Sequence, residues 1–270
     1  IINFIGIIIF GILFKVGVVE EFNLLESIIG VFYSHNKVFK APIGQLWFVT
    51  ALFLTQILFY FINKISKNDK DIFILCLICA IIGYVNSIST YQIYGPWHIE
   101  AVFTAVMFYF LGYIFTKNIK IYDKYTKNKL CNFILGFILF VVAVAVQYKN
   151  QAISMYVGNY GSIILFYISS LSSILGLIIF VNLFLKKSYI FKTIGKYSIF
   201  FLCYHYSLIL IFKKYFDFFK SGNINLLLLS IIVTVILFPL SIITYNKLPI
   251  FHGKSQFLER KLDYDRKKEN

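Results

Sequence analysis

Ionisable side chains are scarce in the apolar segments of this chain, and one of them, His205, has the chemistry of a proton acceptor. It lies near the middle of an apolar segment, beside Tyr204, Tyr206 and Ser207. Histidine titrates close to neutral pH and is costly to bury in hydrocarbon, so His205 is a candidate for a supporting catalytic role. A neutral imidazole that hydrogen-bonds to a neighbouring helix satisfies the same burial without any function.

A second group of candidates, Trp97, His98 and Glu100, follows Pro96 at the start of another apolar segment. The unpaired amides and the dipole of a helix N-terminus favour an anion, which accounts for Glu100 without a function. A carboxylate at the mouth of a polar cavity can also hold sugar hydroxyls. Trp47 begins an earlier apolar segment and is expected in the aromatic belt at the outer membrane interface.

The composition indicates that membrane-spanning helices position these side chains. Hydrophobic residues make up 59% of the chain and charged residues 14%, which leaves too little polar surface to coat a soluble globule. A helix needs roughly 20 apolar residues to cross the bilayer. Eight segments have about this length: 1–19, 46–63, 72–91, 99–116, 131–148, 161–185, 197–212 and 224–245. The sequence therefore predicts an all-α fold, a polytopic integral membrane helical bundle with about eight transmembrane helices.

The lysines predict which side of the membrane each loop faces, because positively charged loops stay in the cytoplasm. Most of the 26 basic residues lie in the loops 64–71, 117–130 and 186–196 and in the tail 246–270. Both termini are therefore predicted to be cytoplasmic in a multi-pass protein of the cell membrane. The net charge of +14 is spread over separate loops, which favours contact with membrane lipid headgroups over nucleic-acid binding.

We expect a single transmembrane domain over residues 1–245 and a basic cytoplasmic tail over 246–270, because no Pro-, Gly- or Ser-rich linker divides the chain. Segment 20–33 has apolar residues at helical spacing. It is interpreted either as a helix that lies on or re-enters the membrane, or as an ordered loop. The chain starts at Ile1 directly in hydrophobic sequence, so it is expected to be cut at its amino end. A cytoplasmic start permits an even number of further spans before it.

The four cysteines lie in or beside predicted spans and are expected to pack as small apolar side chains. Cys76 and Cys79 share a helix face, yet no second Cys or His pair stands nearby in sequence to complete a metal site. We therefore expect neither a disulfide nor a bound metal ion.

Three segments, taken together, carry a resemblance to a known family. The first is Leu-Trp-Phe-Val-Thr-Ala-Leu-Phe from Leu46, and the second is Pro-Trp-His-Ile-Glu from Pro96, which leads to Phe-Tyr-Phe-Leu-Gly-Tyr from Phe108. The third is Ile-Gly-Lys-Tyr-Ser from Ile194, which runs to His205. In this order and at these separations, they resemble the membrane acyltransferase family 3, which includes sugar O-acetyltransferases of bacterial cell-surface polysaccharides.

The resemblance implies transfer of an acyl group, most often acetyl from cytoplasmic acetyl-CoA, to a hydroxyl of a carbohydrate on the other side of the membrane. It also implies polysaccharide-synthesis machinery as a partner. Family members have ten spans, a catalytic His in the first span and an R-x-x-R pattern before the third. Neither motif is present here, and the eight predicted spans match the last eight of ten. The resemblance therefore implies a chain that lacks its first two spans and is inactive alone.

The resemblance also implies roles for individual residues. His205 matches a recurrent family His near the carboxyl end of a G-x-x-S segment, and it would orient the substrate or assist proton movement. The substrate-binding residues would be Trp47, Trp97, His98, Glu100 and Ser198. Glu100 stands where the family usually has an Asp-like acid, which leaves its role open.

Two alternative functions remain at this stage. One is a polysaccharide export or flippase component, although the sequence contains no broken-helix pair or inverted repeat of the kind found in transporters. The other is a non-catalytic remnant. The residues before Ile1 would discriminate between these alternatives and the enzyme.

Overall fold

The computed structural model describes residues 2–35, 37–39, 43–119, 128–150 and 153–248. The central part of the lysine loop 117–130 and nearly all of the predicted tail 246–270 lie outside the described residues.

Ten α-helices make up most of the described chain, and its one β pairing is an isolated bridge between Ser154 and Asn159. The helices are α1 (Ile2–Lys15), α2 (Leu24–Tyr33), α3 (Trp47–Ile65), α4 (Asp69–Ile88), α5 (Ile99–Lys117), α6 (Lys129–Lys149), α7 (Ile163–Phe180), α8 (Tyr189–Lys196), α9 (Ser198–Tyr215) and α10 (Asn223–Lys247). A π-helical turn, Val181–Leu185, extends α7. The predicted all-α, polytopic helical membrane bundle is confirmed.

Six described helices, with their adjoining turns, are long and apolar enough to cross a membrane: α3, α4, α5, α6, α7 and α10. Helices α8 and α9 pass the same test only as a pair, and they are bent by 84° at Tyr197, so the described residues contain six or seven candidate spans. The sequence predicted no broken-helix pair. That prediction is wrong, because α8 and α9 form one in the structure.

The predicted first span, 1–19, is shorter in the structure than expected. Helix α1 has 14 residues, which corresponds to a length of about 21 Å against a hydrocarbon core of about 30 Å. Segment 20–33 contains helix α2, whose N-cap residue Asn23 accepts a hydrogen bond from the amide of Glu26 at 3.1 Å. Its interpretation as an ordered loop is therefore wrong. A position flat on the membrane surface stays a prediction.

The chain divides into two compact units: unit 1 comprises Ile1–Leu46 and Tyr189–Asn270, and unit 2 comprises Trp47–Ser188. In unit 1, α1 packs against α2, and α9 packs against α10. Its buried cluster contains Ile43, Leu46, Phe200, Cys203, Tyr204, Leu229, Val233 and Leu237. A single transmembrane domain over 1–245 stays a prediction.

In unit 2, α5 packs against both α3 and α4, and α6 packs against α7. The closest approaches occur at glycines, which let two helix backbones come together. A Cβ atom at Gly83 of α4 would overlap the side chain of Thr104 on α5. At the crossing of α6 and α7, a Cβ at Gly136 would lie 3.1 Å from Ile179, and a Cβ at Gly176 would lie 3.5 Å from the Gly136 carbonyl oxygen.

The five helices of unit 2 alternate in direction, so the unit has two ends. We call the end formed by Trp47, residues 89–98 and residues 153–162 the Trp47 end. We call the opposite end the Lys117 end. There, an ion pair of 2.6 Å between Lys117 Nζ and Asp69 Oδ2 joins α5 to α4. The Tyr113 hydroxyl also donates a hydrogen bond to Asp69 there, at 3.3 Å.

Candidate active site

The backbone just before α5 has an unusual conformation that determines where His98 lies. Pro96–His98 form a 3-10 turn in which Trp97 and His98 are both left-handed, with φ of 58° and 54°. A non-glycine residue in this region costs on the order of 1–3 kcal/mol and persists only where its surroundings hold it. Such strain concentrates at functional sites. The His98 side chain is fully buried, whereas Trp97 is 44% exposed.

The carboxylate of Glu100 lies beside buried His98, two residues earlier in the chain, where it can pair with the imidazole once that ring is protonated. The Glu100 Oε1 atom lies 3.2 Å from His98 Nδ1, and the side chain of Glu100 is 10% exposed. The second carboxylate oxygen, Oε2, accepts a hydrogen bond from the Gly95 amide at 3.2 Å. A carboxylate only accepts hydrogen bonds, so a hydrogen bond from the ring to Glu100 requires the proton on Nδ1 and leaves Nε2 as the basic nitrogen of the neutral imidazole. A base held in this way by a third group is the usual arrangement for activating a nucleophile.

Two aromatic rings pack against the imidazole of His98. The Trp47 ring centroid lies 5.0 Å from that of His98, and the Tyr156 centroid lies 5.3 Å from it. Trp47 and Tyr156 are themselves 5.8 Å apart. The imidazole is therefore packed between an indole and a phenol, in surroundings of low polarity that strengthen its interaction with Glu100.

Tyr156 is brought to His98 by a short hairpin between α6 and α7. Backbone hydrogen bonds of 2.8 and 2.9 Å join Ser154 and Asn159, and Gly158 takes the left-handed conformation at the tip, with φ of 68°. The side chain of Asn150 donates to the Tyr160 carbonyl at 3.1 Å and accepts from the Ser162 amide at 2.9 Å. These bonds fix the position of the hairpin.

Tyr160 anchors the same hairpin in the protein interior, where it is 2% exposed. Burial raises the pKa of its phenol, and the negative charge of nearby Glu100 raises this pKa further. Tyr160 is therefore a neutral hydroxyl beside the His98–Glu100 pair at physiological pH.

A cavity of about 1100 Å³ runs along α3, α5 and α7 from the Trp47 end towards the Lys117 end. Trp47 and Met155 line it at one end, and Asn63 and Thr116 line it at the other. The stretch of α3 from Trp47 to Asn63 is about 24 Å long at 1.5 Å per residue. The polar side chains of the lining are Thr55, Gln56, Asn63, Thr116, Ser170 and Ser173, together with three tyrosines. The cavity thus gives an elongated ligand a partly polar path along most of the length of α3.

The structure brings together three of the residues predicted from the sequence, Trp47, His98 and Glu100, and it places Trp97 beside them in the chain. His205 and Ser198 belong to unit 1. The Nδ1 atom of His205 lies 2.8 Å from the Phe201 carbonyl oxygen of its own helix, whereas the packing alternative expects a partner on a neighbouring helix. Ser198 is exposed at the start of α9. The roles of all six residues stay predictions, as does the absence of a metal.

Sequence reasoning missed Tyr156 and Tyr160 and gave His98 little weight. The segment Met-Tyr-Val-Gly-Asn-Tyr-Gly from Met155 offered a signal, because two tyrosines between turn residues in a short connection suggest an ordered hairpin. The partners of these rings come from other helices, and no sequence period reveals them.

Comparison with known proteins identifies a family for this chain, but it finds no individual protein that matches. No curated protein and no solved structure matches the chain. A family model described as an acyltransferase domain matches residues 1–246, nearly the whole chain. The chain therefore belongs to acyltransferase family 3 and is a multi-pass membrane acyltransferase.

Proposed function

We propose that this acyltransferase moves an acetyl group from acetyl-CoA to a hydroxyl of an exported or cell-surface carbohydrate. The observation that supports this most directly is the buried His98–Glu100 pair beside the end of a cavity that follows the helices through the membrane. A sugar hydroxyl has a high pKa and needs a base, and a positioned histidine contributes typically 10²–10⁴-fold to the rate.

In the proposed reaction, a hydroxyl of the acceptor attacks the thioester carbonyl of acetyl-CoA. His98 Nε2 takes the hydroxyl proton as the new C–O bond forms, and Glu100 stabilises the resulting imidazolium. The C–S bond then breaks, and the imidazolium returns its proton to the leaving thiolate. The products are the acetyl ester and free coenzyme A, so atoms and charges balance.

The surroundings of His98 suit a carbohydrate acceptor and a long donor. Trp47 and Tyr156 offer ring faces on which a sugar can lie, and pockets of this kind combine aromatic walls with a few polar groups. The cavity along α3 gives the thioester arm a path between the two ends of unit 2. With the predicted orientation, the donor enters at the cytoplasmic Lys117 end, and the acceptor arrives at the Trp47 end.

This proposal differs from the expectation that the main catalytic base lies before Ile1. If that upstream His is the base, the 270-residue chain is inactive. If His98 is the base, the same chain retains transfer activity.

The test is transfer of radiolabelled acetyl from acetyl-CoA to N-acetylglucosamine by the 270-residue chain in proteoliposomes. The expected product is a labelled ester that mild alkali releases, and His98→Ala is expected to lower the rate of its formation by about 10²–10⁴-fold. Tyr91→Phe is the matched control, since Tyr91 is 88% exposed and lies outside the site. No labelled product from the unchanged chain, or an undiminished rate in His98→Ala, would contradict the proposal.

A further inference from the structure

Two further cavities of unit 2 form one groove between α6 and α7. The first has a volume of about 580 Å³ and lies towards the Trp47 end, where Gln147, Ser169 and Ser170 line it. The second has about 620 Å³ and continues towards the Lys117 end. Phe140 and Ser173 line both, so the two cavities adjoin one another along α6 and α7.

The groove changes from polar to apolar along its length. Its polar part includes Gln147 Oε1, which lies 3.4 Å from the hydroxyl of buried Ser169. The apolar part is rimmed by phenylalanines that are about half exposed or more: Phe133, Phe137, Phe140, Phe180 and Phe184. From Phe133 to Gln147 the groove follows α6 for about 21 Å. A groove that is polar at one end and apolar along the rest fits an amphiphile, with a polar head and a long apolar tail, rather than a free sugar.

The polar part of the groove adjoins the cavity beside His98. Ser170 and Ser173 of α7 line both the groove and the main cavity. A polar head group seated at Gln147 can therefore extend past these two serines into the cavity in which acyl transfer is proposed.

The helix end nearest the polar part of the groove carries an exposed cation, Lys149, which is not itself a lining residue. Lys149 is the last residue of α6, two residues after Gln147, and it is the one basic side chain at the Trp47 end among the described residues of unit 2. A cation at this position complements the phosphate that joins a lipid to a sugar.

We infer that the groove between α6 and α7 binds a lipid-linked saccharide, with its tail against the phenylalanines, its phosphate near Lys149 and its sugar directed into the main cavity. This inference rests on the proposed function for the transfer step, but the binding itself does not require that step. It narrows the acceptor from carbohydrates in general to saccharides still attached to a lipid carrier through phosphate.

Binding is tested by photo-crosslinking, which needs no acyl transfer. The photoreactive residue p-benzoylphenylalanine replaces Phe137, which lines the groove, or Ile138, which is 50% exposed on the same helix but lines none of the three cavities. The probe is farnesyl-diphosphate-linked N-acetylglucosamine in proteoliposomes. We expect at least about fivefold more adduct at position 137 than at 138, with competition by unlabelled probe. Equal adducts, or adducts with bulk phospholipid alone, would overturn the inference.

The kinetic test compares this probe with free N-acetylglucosamine as acetyl acceptors. We expect kcat/KM to be at least about tenfold higher for the lipid-linked form, and Lys149→Gln to raise its KM several-fold without changing the KM of acetyl-CoA. Lys129→Gln, at the other end of α6, is the control that leaves both unchanged.

Three outcomes separate the two proposals. Specific crosslinking without acetylation of either acceptor keeps the lipid-linked ligand and contradicts the proposed reaction. Equal use of both acceptors, without specific crosslinking, supports the proposed acetyl transfer and contradicts binding of a lipid-linked saccharide in the groove. A Lys149→Gln effect on the free sugar as large as that on the lipid-linked one also contradicts the groove.

Discussion

The two buried or half-buried histidines considered for catalysis, His98 in unit 2 and His205 in unit 1, have very different surroundings. His98 has a carboxylate partner, two aromatic neighbours and a strained backbone, and its neighbour Trp47 lines a large cavity. His205 lies in the middle of a regular helix, and its Nδ1 is hydrogen-bonded to that helix. The difference indicates that depth in an apolar segment is a weaker sign of catalysis than an arrangement of partners from several elements.

The comparison is tested most strongly by removing the His98 imidazole. We expect His98→Ala to lower kcat for acetyl transfer by about 10²–10⁴-fold, because the proposed base is lost. External imidazole should restore part of the rate, since it can diffuse into the vacated site. The measurement is steady-state transfer in proteoliposomes, with protein amount and melting temperature as controls. A loss of less than fivefold in a stably folded variant would remove His98 from the mechanism.

His205→Ala should have a smaller effect, about tenfold on the same rate, as expected for a residue that orients substrate or assists proton movement. Imidazole should not restore this loss, because the proposed base is still in place. His205→Asn, which keeps a side chain able to reach the Phe201 carbonyl, should recover most of the activity if the role is packing. Equal losses in His98→Ala and His205→Ala, both restored by imidazole, would remove the distinction between the two histidines.

The sequence predicted the helices much better than the site, and the histidines explain why. The predicted spans 46–63 and 224–245 correspond closely to Trp47–Ile65 and Asn223–Lys247, because length and hydropathy are local properties. The predicted start of the span 72–91 was three residues late. Asn68 caps the helix by accepting hydrogen bonds from the amides of Lys70 and Asp71, so charged residues enter its first turn.

The site depends on features that local patterns do not encode. The left-handed pair Trp97–His98 is strained, and its conformation is held by the surrounding structure rather than favoured by the residues themselves. The contact of Tyr156 with Trp47 joins residues more than one hundred positions apart in the chain. Glu100 and His98 were visible as neighbours in sequence, but their pairing required the turn that brings Gly95 onto the same carboxylate.

Removing the ring of Tyr156, which packs against His98, is expected to have a smaller effect on acetyl transfer. Tyr156→Ala should raise the KM for the carbohydrate acceptor about three- to fivefold and change the KM for acetyl-CoA little, because the ring offers a surface to the sugar. Tyr156→Phe keeps the ring and should behave like the unchanged protein. The measurement is initial rate against each substrate in turn. An equal rise in both KM values would indicate a general disturbance of the hairpin instead of acceptor binding.

The smallest predicted effect concerns the helix packing that supports His98. Gly83→Ala places a Cβ against Thr104, whose backbone nitrogen is only 3.0 Å from that position, so α4 and α5 must separate slightly. Overpacking of this kind typically costs about 1–3 kcal/mol, whereas an added Cβ at Gly112 of α5 has no atom within 4 Å and gains about 1 kcal/mol of helix propensity.

Thermal unfolding of the detergent-purified variants should therefore show a lower melting temperature for Gly83→Ala and an unchanged or higher one for Gly112→Ala. Because His98 immediately precedes α5, Gly83→Ala should also lower transfer modestly without altering the effect of His205→Ala. Equal melting temperatures for the two glycine variants would contradict the close packing of α4 against α5 at Gly83.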